Sequence, residues 1–446
     1  MNDPKVAMIN EQAFSLDHAG LIAELAAIDN LLIIQDLDGV CMGLVGDPLT
    51  RRLERRYLDA ARDLDGHFYV LTNGEHIGSR GVNGIVESLF DTTDRAGEQG
   101  RYLPGLGAGG VQWQDRFGNV SHPGVSQAEL DFLRDFPARA EAFLDDLLSR
   151  PPYCVDSEAK RDLIASAVLD NLASPTLNLN VFYRHWRDAP ARYRALQIAV
   201  ADFMRDRLEA ASQAGLDDAF FIHYAPNAGR DAQGNERLRE SDGDDNAGTK
   251  TAGTTDFQLM LRGAVKEVGV LVILNRYYHR HTGHYPLGEA FNAREAPRDH
   301  AALLQLAREH FDPALMPTIV GVGDTVTSFT HEADGRVERL RGGSDRGFLT
   351  LVQQLGDAFD SGNRVLYVDS SGGEVRRAGV DAERLARHAE DPNVDAWPGL
   401  EGITDADDPL RLDVIFPGGH IQYIDFFCAL AERRARHGSA TGAERL

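Results

Sequence analysis

Short apolar segments alternate with longer amphipathic segments along most of the chain. The short segments are rich in β-branched residues, which predicts buried strands. These predicted strands cover residues 30–35, 67–71, 220–224, 269–274, 318–322, 364–368 and 412–416. Because helix-length segments separate most of them, the pattern favours an α/β fold built on a parallel sheet.

Part of the chain departs from this alternation and predicts an insertion into the core. Residues 97–124 are rich in glycine and aromatics, and residues 115–119 predict a turn of hairpin type. Residues 127–150 and 191–214 show helical spacing of apolar positions, as residues 49–64 do earlier in the chain. We therefore predict an inserted cap of mixed α and β structure.

Length and composition set the class of protein. The chain has 446 residues, which suggests two or three globular units or one domain with large insertions. Residues 226–253 are polar and rich in Gly, Asp and Asn, which predicts a long loop or a boundary.

Charge and cysteine content exclude several kinds of partner. The chain carries 46 Lys plus Arg against 69 Asp plus Glu, and the net charge of −23 disfavours nucleic acid as a partner. Three cysteines without CxxC spacing support neither a disulfide framework nor a zinc knuckle. The N-terminus lacks the pattern of a signal peptide and no long apolar run occurs, so we expect a cytoplasmic protein without a membrane partner.

The first candidate for chemistry is a pair of carboxylates at the end of a predicted strand. Asp36 and Asp38 directly follow the apolar residues 31–34, and in an extended chain both side chains point to one side. One carboxylate could attack phosphorus while the other protonates a leaving oxygen and activates water. A turn that caps a strand is the alternative explanation for a bare DxDG sequence.

Two other predicted strands also end in polar residues. Thr72 and Asn73 follow residues 67–71 and could hold a phosphoryl oxygen, although Thr-Asn is also a common turn sequence. Asp324 follows residues 318–322 within a glycine-rich segment. Carboxylates at several strand ends suit Mg²⁺, which we expect as the cofactor.

Lysine is scarce, so few residues could supply a catalytic ammonium. The chain contains only Lys5, Lys160, Lys250 and Lys266. Lys250 lies in a flexible run before a helix that we predict to begin near Thr254, where the ammonium and the helix N-terminus could face phosphate. We place Lys266 late in that helix, as a solvated charge near its C-terminus.

Two further patterns give weaker hypotheses. Residues 105–110 are glycine-rich but lack the flanking strand and helix of a dinucleotide-binding motif, so we predict a loop. A group of polar residues follows the predicted strand 269–274, and its spacing is not that of a metal site. Its members, which could contact substrate or lie on the surface, are His279, His281, His284, Tyr285 and Glu289.

The order of these motifs resembles that of the haloacid-dehalogenase superfamily. The matching elements are Asp36-x-Asp38, Thr72, Lys250 and Gly323-Asp324, in that order. Residues 35–45 and 47–51, together with 248–255 and 321–328, are more specifically similar to the glucosylglycerol-phosphate phosphatase family.

The resemblance implies a Rossmann-like parallel-sheet core with a large inserted mixed α/β cap. The core would comprise residues 1–80 and 246–446, the latter with a C-terminal extension, and the cap residues 81–245. The implied reaction is Mg²⁺-dependent hydrolysis of 2-O-(α-glucosyl)-glycerol 3-phosphate through an aspartyl phosphate. It would serve compatible-solute synthesis under salt stress, with a functional link to the synthase that makes this substrate.

The resemblance also implies roles for individual residues. Asp36 would be the nucleophile and Asp38 the general acid/base, and both would contribute to the metal site with Asp324. Thr72, Asn73 and Lys250 would bind phosphate.

Two departures from the superfamily pattern leave positions open. Ser328 occupies the place of a second acid after Asp324, and we suggest Asp345 as the replacement metal ligand. The long interval between Lys250 and Asp324 leaves Lys266 or an arginine as the alternative cation. Phosphatases for sucrose, trehalose or mannosylglycerate phosphates, and a non-catalytic sugar-phosphate sensor, are the competing functions.

Overall fold

The computed structural model describes residues 14–225, 227–231, 235–241, 252–333 and 336–443. In chain order its strands are β1 (Leu31–Gln35), β2 (Phe68–Leu71), β3 (Gly105–Gly107), β4 (Gln112–Gln114), β5 (Val120–Ser121), β6 (Val168–Leu169), β7 (Thr176–Asn178), β8 (Phe220–Ala225), β9 (Asn227–Arg230), β10 (Glu236–Leu238), β11 (Asp256–Leu261), β12 (Thr318–Gly323), β13 (Thr327–Ala333), β14 (Arg336–Gly342), β15 (Arg364–Val368) and β16 (Val414–Phe416). Its α-helices are α1 (His18–Ala26), α2 (Arg55–Asp63), α3 (Val82–Glu87), α4 (Asp94–Glu98), α5 (Gln127–Arg134), α6 (Phe136–Ser149), α7 (Ser157–Ala167), α8 (Asn180–His185), α9 (Pro190–Gln213), α10 (Lys266–Thr282), α11 (His300–His310), α12 (Arg346–Phe359), α13 (Ala382–Glu390) and α14 (Gly419–Ala443).

The chain forms two compact units. The first consists of the described parts of Met1–Asn73, Ile85–Pro123 and Val265–Leu446, and the second of Gly74–Gly84 and the described parts of Gly124–Ala264. The boundaries predicted for a cap over residues 81–245 therefore differ from those of the second unit. The start of the predicted cap differs because β3, β4 and β5 hydrogen-bond into the sheet of the first unit. Its end differs because β11 belongs to the second unit.

The first unit is built on an eight-stranded sheet in the order β16-β15-β12-β1-β2-β3-β4-β5. From β16 to β3 every neighbouring pair is parallel, and β4 and β5 extend the sheet in the antiparallel direction. This confirms the predicted parallel-sheet core. The strands predicted at 30–35, 67–71, 318–322, 364–368 and 412–416 are all present in it, with ends shifted by at most a residue or two.

Strand β1 lies in the interior of this sheet, between β12 and β2. All five of its residues are buried, as expected for a strand that is covered on both faces. The buried amide of Gln35 is satisfied by two tyrosine hydroxyls, accepting a hydrogen bond from Tyr423 at 2.7 Å and donating one to Tyr57 at 2.6 Å. These bonds fix the last residue of β1 against helices α2 and α14, directly before Asp36.

The glycine-rich segment predicted as a loop instead contributes β3 and a short 3₁₀ turn. Gly105 has a φ of +137°, and a Cβ at this position would lie 2.2 Å from the carbonyl oxygen of Val70. Only glycine permits this close pairing with β2. Residues 97–123 therefore belong to the first unit, to whose sheet they contribute β3, β4 and β5.

The strand predicted at residues 269–274 is wrong, because this segment lies within helix α10. Most of the helix is buried over its first three turns, so its sequence shows an uninterrupted apolar run and no polar face. Gly269 packs against Leu71 of β2, so the helix lies against the sheet.

The second unit contains an antiparallel sheet in the order β6-β7-β11-β8. Strand β8 matches the strand predicted at 220–224, but it belongs to this sheet and not to the parallel one. Helix α9 packs on β8 and β11, and the helix predicted over 127–150 is divided into α5 and α6 at Asp135. Within the described ranges, no helix combines the length and apolar character needed to cross a membrane.

Candidate active site

The carboxyl ends of four neighbouring parallel strands each carry a polar residue. Asp36 follows β1, Thr72 follows β2, Asp324 follows β12 and Asp369 follows β15. The register pairs Gln35 with Val322 and with Val70, so these strands end at nearly the same level. This edge of an open α/β sheet is where such folds bind ligands.

A buried lysine joins two of the acids in the site. The Nζ atom of Lys266 lies 2.7 Å from Oδ2 of Asp36 and 2.7 Å from Oδ1 of Asp345. The side chains of Lys266 and Asp345 are 2% and 0% exposed, so water screens these ion pairs very little. Lys266 is the first residue of α10, and Asp345 immediately precedes α12.

Asp345 also fixes the loop that carries Asp324. Its Oδ2 atom accepts hydrogen bonds from the backbone N–H groups of Asp324 and Thr325, each at 2.9 Å. The Asp324 Oδ1 atom accepts a hydrogen bond from the hydroxyl of Thr325 at 2.9 Å. One carboxylate thus positions both the ammonium and a second carboxylate.

The second oxygen of Asp324 is available to a cation. Asp324 is buried, and its Oδ2 atom completes no hydrogen bond within the described part of the chain. Asp36, Asp324 and Asp345 each offer an oxygen, and these three atoms lie within 4.8 Å of one another. A buried set of hard oxygen ligands with one unsatisfied oxygen fits a divalent cation such as Mg²⁺.

Gly39 allows Asp324 to approach the loop after β1. Its φ is +83°, and a Cβ at this position would lie 2.2 Å from Oδ2 of Asp324, the same oxygen that completes no hydrogen bond. The glycine of the DxDG sequence therefore has a steric role at the proposed cation site as well as a role in the turn.

Burial and mutual repulsion oppose ionisation of two of the acids. Burial raises the pKa of Asp36 to about 6, although Lys266 acts in the opposite direction. Burial and the nearby charge of Asp345 hold the pKa of Asp324 well above its usual range. Burial also acts on Asp345, but there the ammonium of Lys266 outweighs it and lowers the pKa. Concentrated negative charge at this edge favours binding of a cation.

Asp38 lies apart from the three clustered carboxylates. Its Oδ2 atom accepts a hydrogen bond from Arg51 at 3.1 Å, and its side chain is 34% exposed. Arg51 itself is mostly buried and donates a second bond to the carbonyl of Pro48. Asp38 is thus free to face solvent or substrate, and its carboxylate is not among the oxygens of the cation site.

Thr72 is held at the end of β2 by backbone hydrogen bonds, and Asn73 follows it. The N–H of Thr72 donates to the carbonyl of Leu106 at 2.9 Å, and the Thr72 carbonyl accepts from Gly109 at 3.0 Å. Thr72 is buried and Asn73 half-buried. The 3₁₀ turn that follows β3 therefore supports the predicted phosphate-binding pair.

The loop after β15 brings an arginine to Asp324. Asp369 closes this loop by accepting hydrogen bonds from the N–H groups of Ser371 and Val380, each at 2.9 Å. From within the loop, the exposed Arg377 donates a 3.0 Å bond to the hydroxyl of Thr325. The sequence analysis did not identify either residue. The position of Asp369 directly after a predicted strand is the signal that could have identified it.

The predicted phosphate ligand Lys250 lies outside the described residues.

The prediction that Lys266 is a solvated charge late in a helix is wrong. Strand β11 occupies the place where the helix was expected to begin, and α10 begins at Lys266 itself. A lysine two positions before a long apolar run is the signal that identifies this residue as the start of a buried helix.

The position of Ser328 explains why it is no metal ligand. It lies on β13, and its hydroxyl donates to the carboxylate of Asp405, which also accepts two hydrogen bonds from Arg341. The structure places Asp345, suggested as the replacement, among the three clustered acids.

The predicted substrate contacts lie far from this edge. His279 is 13 positions after Lys266 on α10, which is roughly 20 Å along the helix axis, and the nearby Tyr277 bonds Asn30 before the start of β1. His279 stacks on Tyr285 with ring centroids 3.8 Å apart. His281, His284 and Glu289 are exposed. Because α10 runs away from the catalytic edge, the structure does not bring these residues to the carboxylates.

Known proteins with similar sequences point to one family. The family model described as glucosylglycerol-phosphate phosphatase matches residues 30–431. A curated relative, the glucosylglycerol-phosphate phosphatase of Synechocystis sp., is 51% identical over 433 residues, which cover 97% of this chain and 100% of that protein.

Solved structures give a more distant likeness. The C-terminal domain of C. albicans trehalose-6-phosphate phosphatase is 8% identical with a TM-score of 0.42. The match covers 94% of this chain and 98% of that chain. The Aspergillus fumigatus trehalose-6-phosphate phosphatase is 9% identical with a TM-score of 0.36, covering 94% and 99%. At these scores we base no conclusion on either structure.

Proposed function

The chain belongs to the glucosylglycerol-phosphate phosphatase family, and on that premise we propose that it hydrolyses 2-O-(α-glucosyl)-glycerol 3-phosphate to glucosylglycerol and phosphate. It is a phosphoric monoester hydrolase. The observation that supports the proposal most strongly is the cluster of Asp36, Lys266, Asp324 and Asp345 at the carboxyl edge of the sheet.

Asp36 is the proposed nucleophile. Its Oδ1 atom accepts a 2.7 Å hydrogen bond from the N–H of Leu37, and Oδ2 faces the Lys266 ammonium, so the carboxylate is held in one orientation. In-line attack on phosphorus forms an aspartyl phosphate on Asp36 and breaks the bond to the glycerol oxygen. Lys266 then offsets part of the charge on the incoming phosphate.

Mg²⁺ would be held by carboxylate oxygens of Asp36, Asp324 and Asp345. When bound, it would offset negative charge on the carboxylates and on the phosphoryl oxygens. Without it, three buried acids and one ammonium leave the site negatively charged, which opposes binding of a phosphate dianion.

Asp38 is the proposed general acid/base. It follows the nucleophile by two positions, and Arg51 holds its carboxylate in place while leaving a third of it exposed. It would donate a proton to the leaving glycerol oxygen and later take one from the water that hydrolyses the aspartyl phosphate. The Thr72 hydroxyl and the Asn73 amide would donate hydrogen bonds to phosphoryl oxygens.

A role in compatible-solute synthesis under salt stress is part of the same proposal. The enzyme would then act in the cytoplasm, on the phosphorylated product that the synthase supplies. The net charge of −23 is compatible with a well-hydrated protein at raised ionic strength.

The test is phosphate release by the wild type and by Asp36→Asn. We expect the wild type with Mg²⁺ to prefer glucosylglycerol 3-phosphate over sucrose, trehalose and mannosylglycerate phosphates. Asp36→Asn, which keeps the side-chain volume, should lose at least about 1,000-fold in kcat because the nucleophile is absent. The exposed Asp91→Asn serves as the matched control. Native turnover in Asp36→Asn would refute the mechanism, and preference for another sugar would refute the substrate.

A further inference from the structure

The second unit contains a cavity of about 220 Å³ where α8 meets α9. None of the residues that line it belongs to the first unit, which carries the catalytic carboxylates. The lining residues are Tyr183, Arg184, Trp186, Arg187, Pro190, Tyr193 and Ser241.

Two buried hydroxyl groups border this cavity. Tyr193 and Ser241 are 1% and 5% exposed, and within the described ranges the Ser241 hydroxyl completes no hydrogen bond. The nearby Gln197 amide donates to the carbonyls of Ala252 and Thr254 and accepts from the N–H of Ser241, and its side chain also interacts with the Tyr193 hydroxyl. Buried hydroxyls are normally satisfied, so the Ser241 hydroxyl is open to a ligand.

The walls of the cavity combine a rigid aromatic residue with two cationic ones. Trp186 is buried and stacks with Phe182 at a centroid distance of 5.5 Å. Arg184 and Arg187 are exposed, and within the part of the chain that the structure describes neither forms an ion pair. Two guanidinium groups therefore lie beside one cavity without a carboxylate partner among the described residues.

We infer that this cavity binds a phosphorylated monosaccharide. The Tyr193 and Ser241 hydroxyls would pair with sugar hydroxyls, and the indole of Trp186 would contact the apolar face of the ring. The guanidinium groups of Arg184 and Arg187 would bind the phosphate. The inference goes beyond the proposed function, because it assigns a second ligand site whose residues take no part in the reaction at Asp36.

The test is equilibrium binding to the full-length protein, with Mg²⁺ omitted, using glucose 6-phosphate and glucose 1-phosphate as probes. Calorimetry gives the affinity, and tryptophan fluorescence reports on the cavity because Trp186 lines it. We expect at least one sugar phosphate to bind, with glucose and inorganic phosphate each at least about tenfold weaker.

Substitutions in the cavity separate this site from any other. Tyr193→Phe and Ser241→Ala should each weaken binding by about tenfold. Ser241→Ala should do so without lowering the Tm of the ligand-free protein, because the deleted hydroxyl completes no hydrogen bond within the described residues. Arg184→Gln combined with Arg187→Gln should weaken it further, whereas the exposed Arg192→Gln on α9 should not.

Three results would overturn the inference. One is absence of binding by both sugar phosphates, and another is binding that the cavity variants leave unchanged. The third is binding of inorganic phosphate or glucose as tight as that of the sugar phosphates. Phosphate release from glucosylglycerol 3-phosphate is measured separately, so failure here leaves the proposed function standing.

Discussion

A single ammonium at Lys266 is shared by two buried carboxylates. Lys266→Met keeps the length of the side chain but leaves Asp36 and Asp345 without their counter-ion. We expect the free energy of unfolding to fall by about 3 kcal/mol and kcat to fall at least about 100-fold, because the phosphate also loses its cation. Denaturant titration and phosphate release measure the two effects.

Lys160→Met is the matched control for this substitution. Its partner Asp145 is largely exposed, so the pair contributes little to stability. Equal loss of stability in the two variants would contradict the structural role of Lys266.

The steric role of Gly39 leads to a second prediction at this scale. In Gly39→Ala the new methyl group would meet Oδ2 of Asp324, in a backbone conformation that alanine disfavours by about 1–2 kcal/mol. We expect activity to fall by more than about tenfold and the Mg²⁺ concentration for half-maximal activity to rise. Gly372→Ala, where nothing lies within 4 Å, should behave as the wild type, and unaltered Mg²⁺ dependence in Gly39→Ala would count against the proposed cation site.

At the scale of elements, an ion-pair network anchors the start of α12. Arg346, the first residue of this helix, forms two hydrogen bonds with the fully buried Asp408, at 2.8 and 2.7 Å. Asp408 also accepts from the hydroxyl of Thr404 at 3.1 Å. Because Asp345 immediately precedes Arg346, this network helps to set the position of a proposed metal ligand.

Asp408→Ala should therefore affect both stability and catalysis. Removing one member of a buried pair leaves an unpaired guanidinium and is expected to cost about 3 kcal/mol, which thermal or denaturant unfolding would measure. Activity should fall through displacement of Asp345, with little change for the exposed neighbour Asp407→Ala. A stable but inactive variant would show instead that Asp408 acts on catalysis without anchoring α12.

The elements that the sequence predicted correctly are those whose burial is visible in a short window. Strands such as β1 and β15 are continuous apolar runs with polar residues after them, so both the strand and the acid at its end are evident. The strand-end acid Asp36 and the suggestion of Asp345 both fall in the cluster that the structure assembles.

Long-range packing explains what the sequence did not reveal. Helix α10 is buried over most of its surface, so its apolar run has the local pattern of a strand, and that pattern does not show that Lys266 is the first residue of a buried helix. Likewise, β3 pairs with β2 through a glycine contact that no local pattern shows. Contacts between residues distant in sequence decide both cases.

At the scale of the whole molecule, we expect the carboxylate cluster to couple stability to pH and to Mg²⁺. The pKa of Asp36 is raised from 3.8 to about 6 in the folded, metal-free chain, and that of Asp324 is raised in the same direction. The folded state therefore holds these protons more tightly than the unfolded state. Their contribution to stability is present at low pH and is lost as pH rises from about 4 through 6.

The expected consequence is that Mg²⁺ stabilises the protein more at higher pH, because the carboxylates must be ionised to bind it. At a concentration about 100 times Kd the gain approaches about 2.7 kcal/mol. Thermal unfolding with and without Mg²⁺ at about pH 5 and about pH 8 measures the difference. In Asp324→Asn the shift should be much smaller, and an equal Mg²⁺ effect at both pH values would contradict the assignment.

The position of β1 between β2 and β12 has a consequence during synthesis of the chain on the ribosome. Gln35 pairs with Val322, so the ribosome must add roughly 290 further residues before β12, one of the two neighbours of β1, exists. At about 5–20 residues per second this takes on the order of tens of seconds. Throughout that time the edge of β1 that pairs with β12 has no native partner strand. A nascent chain stalled before β12 is therefore expected to depend on chaperones, and it has no catalytic centre because Asp324 and Asp345 are not yet made.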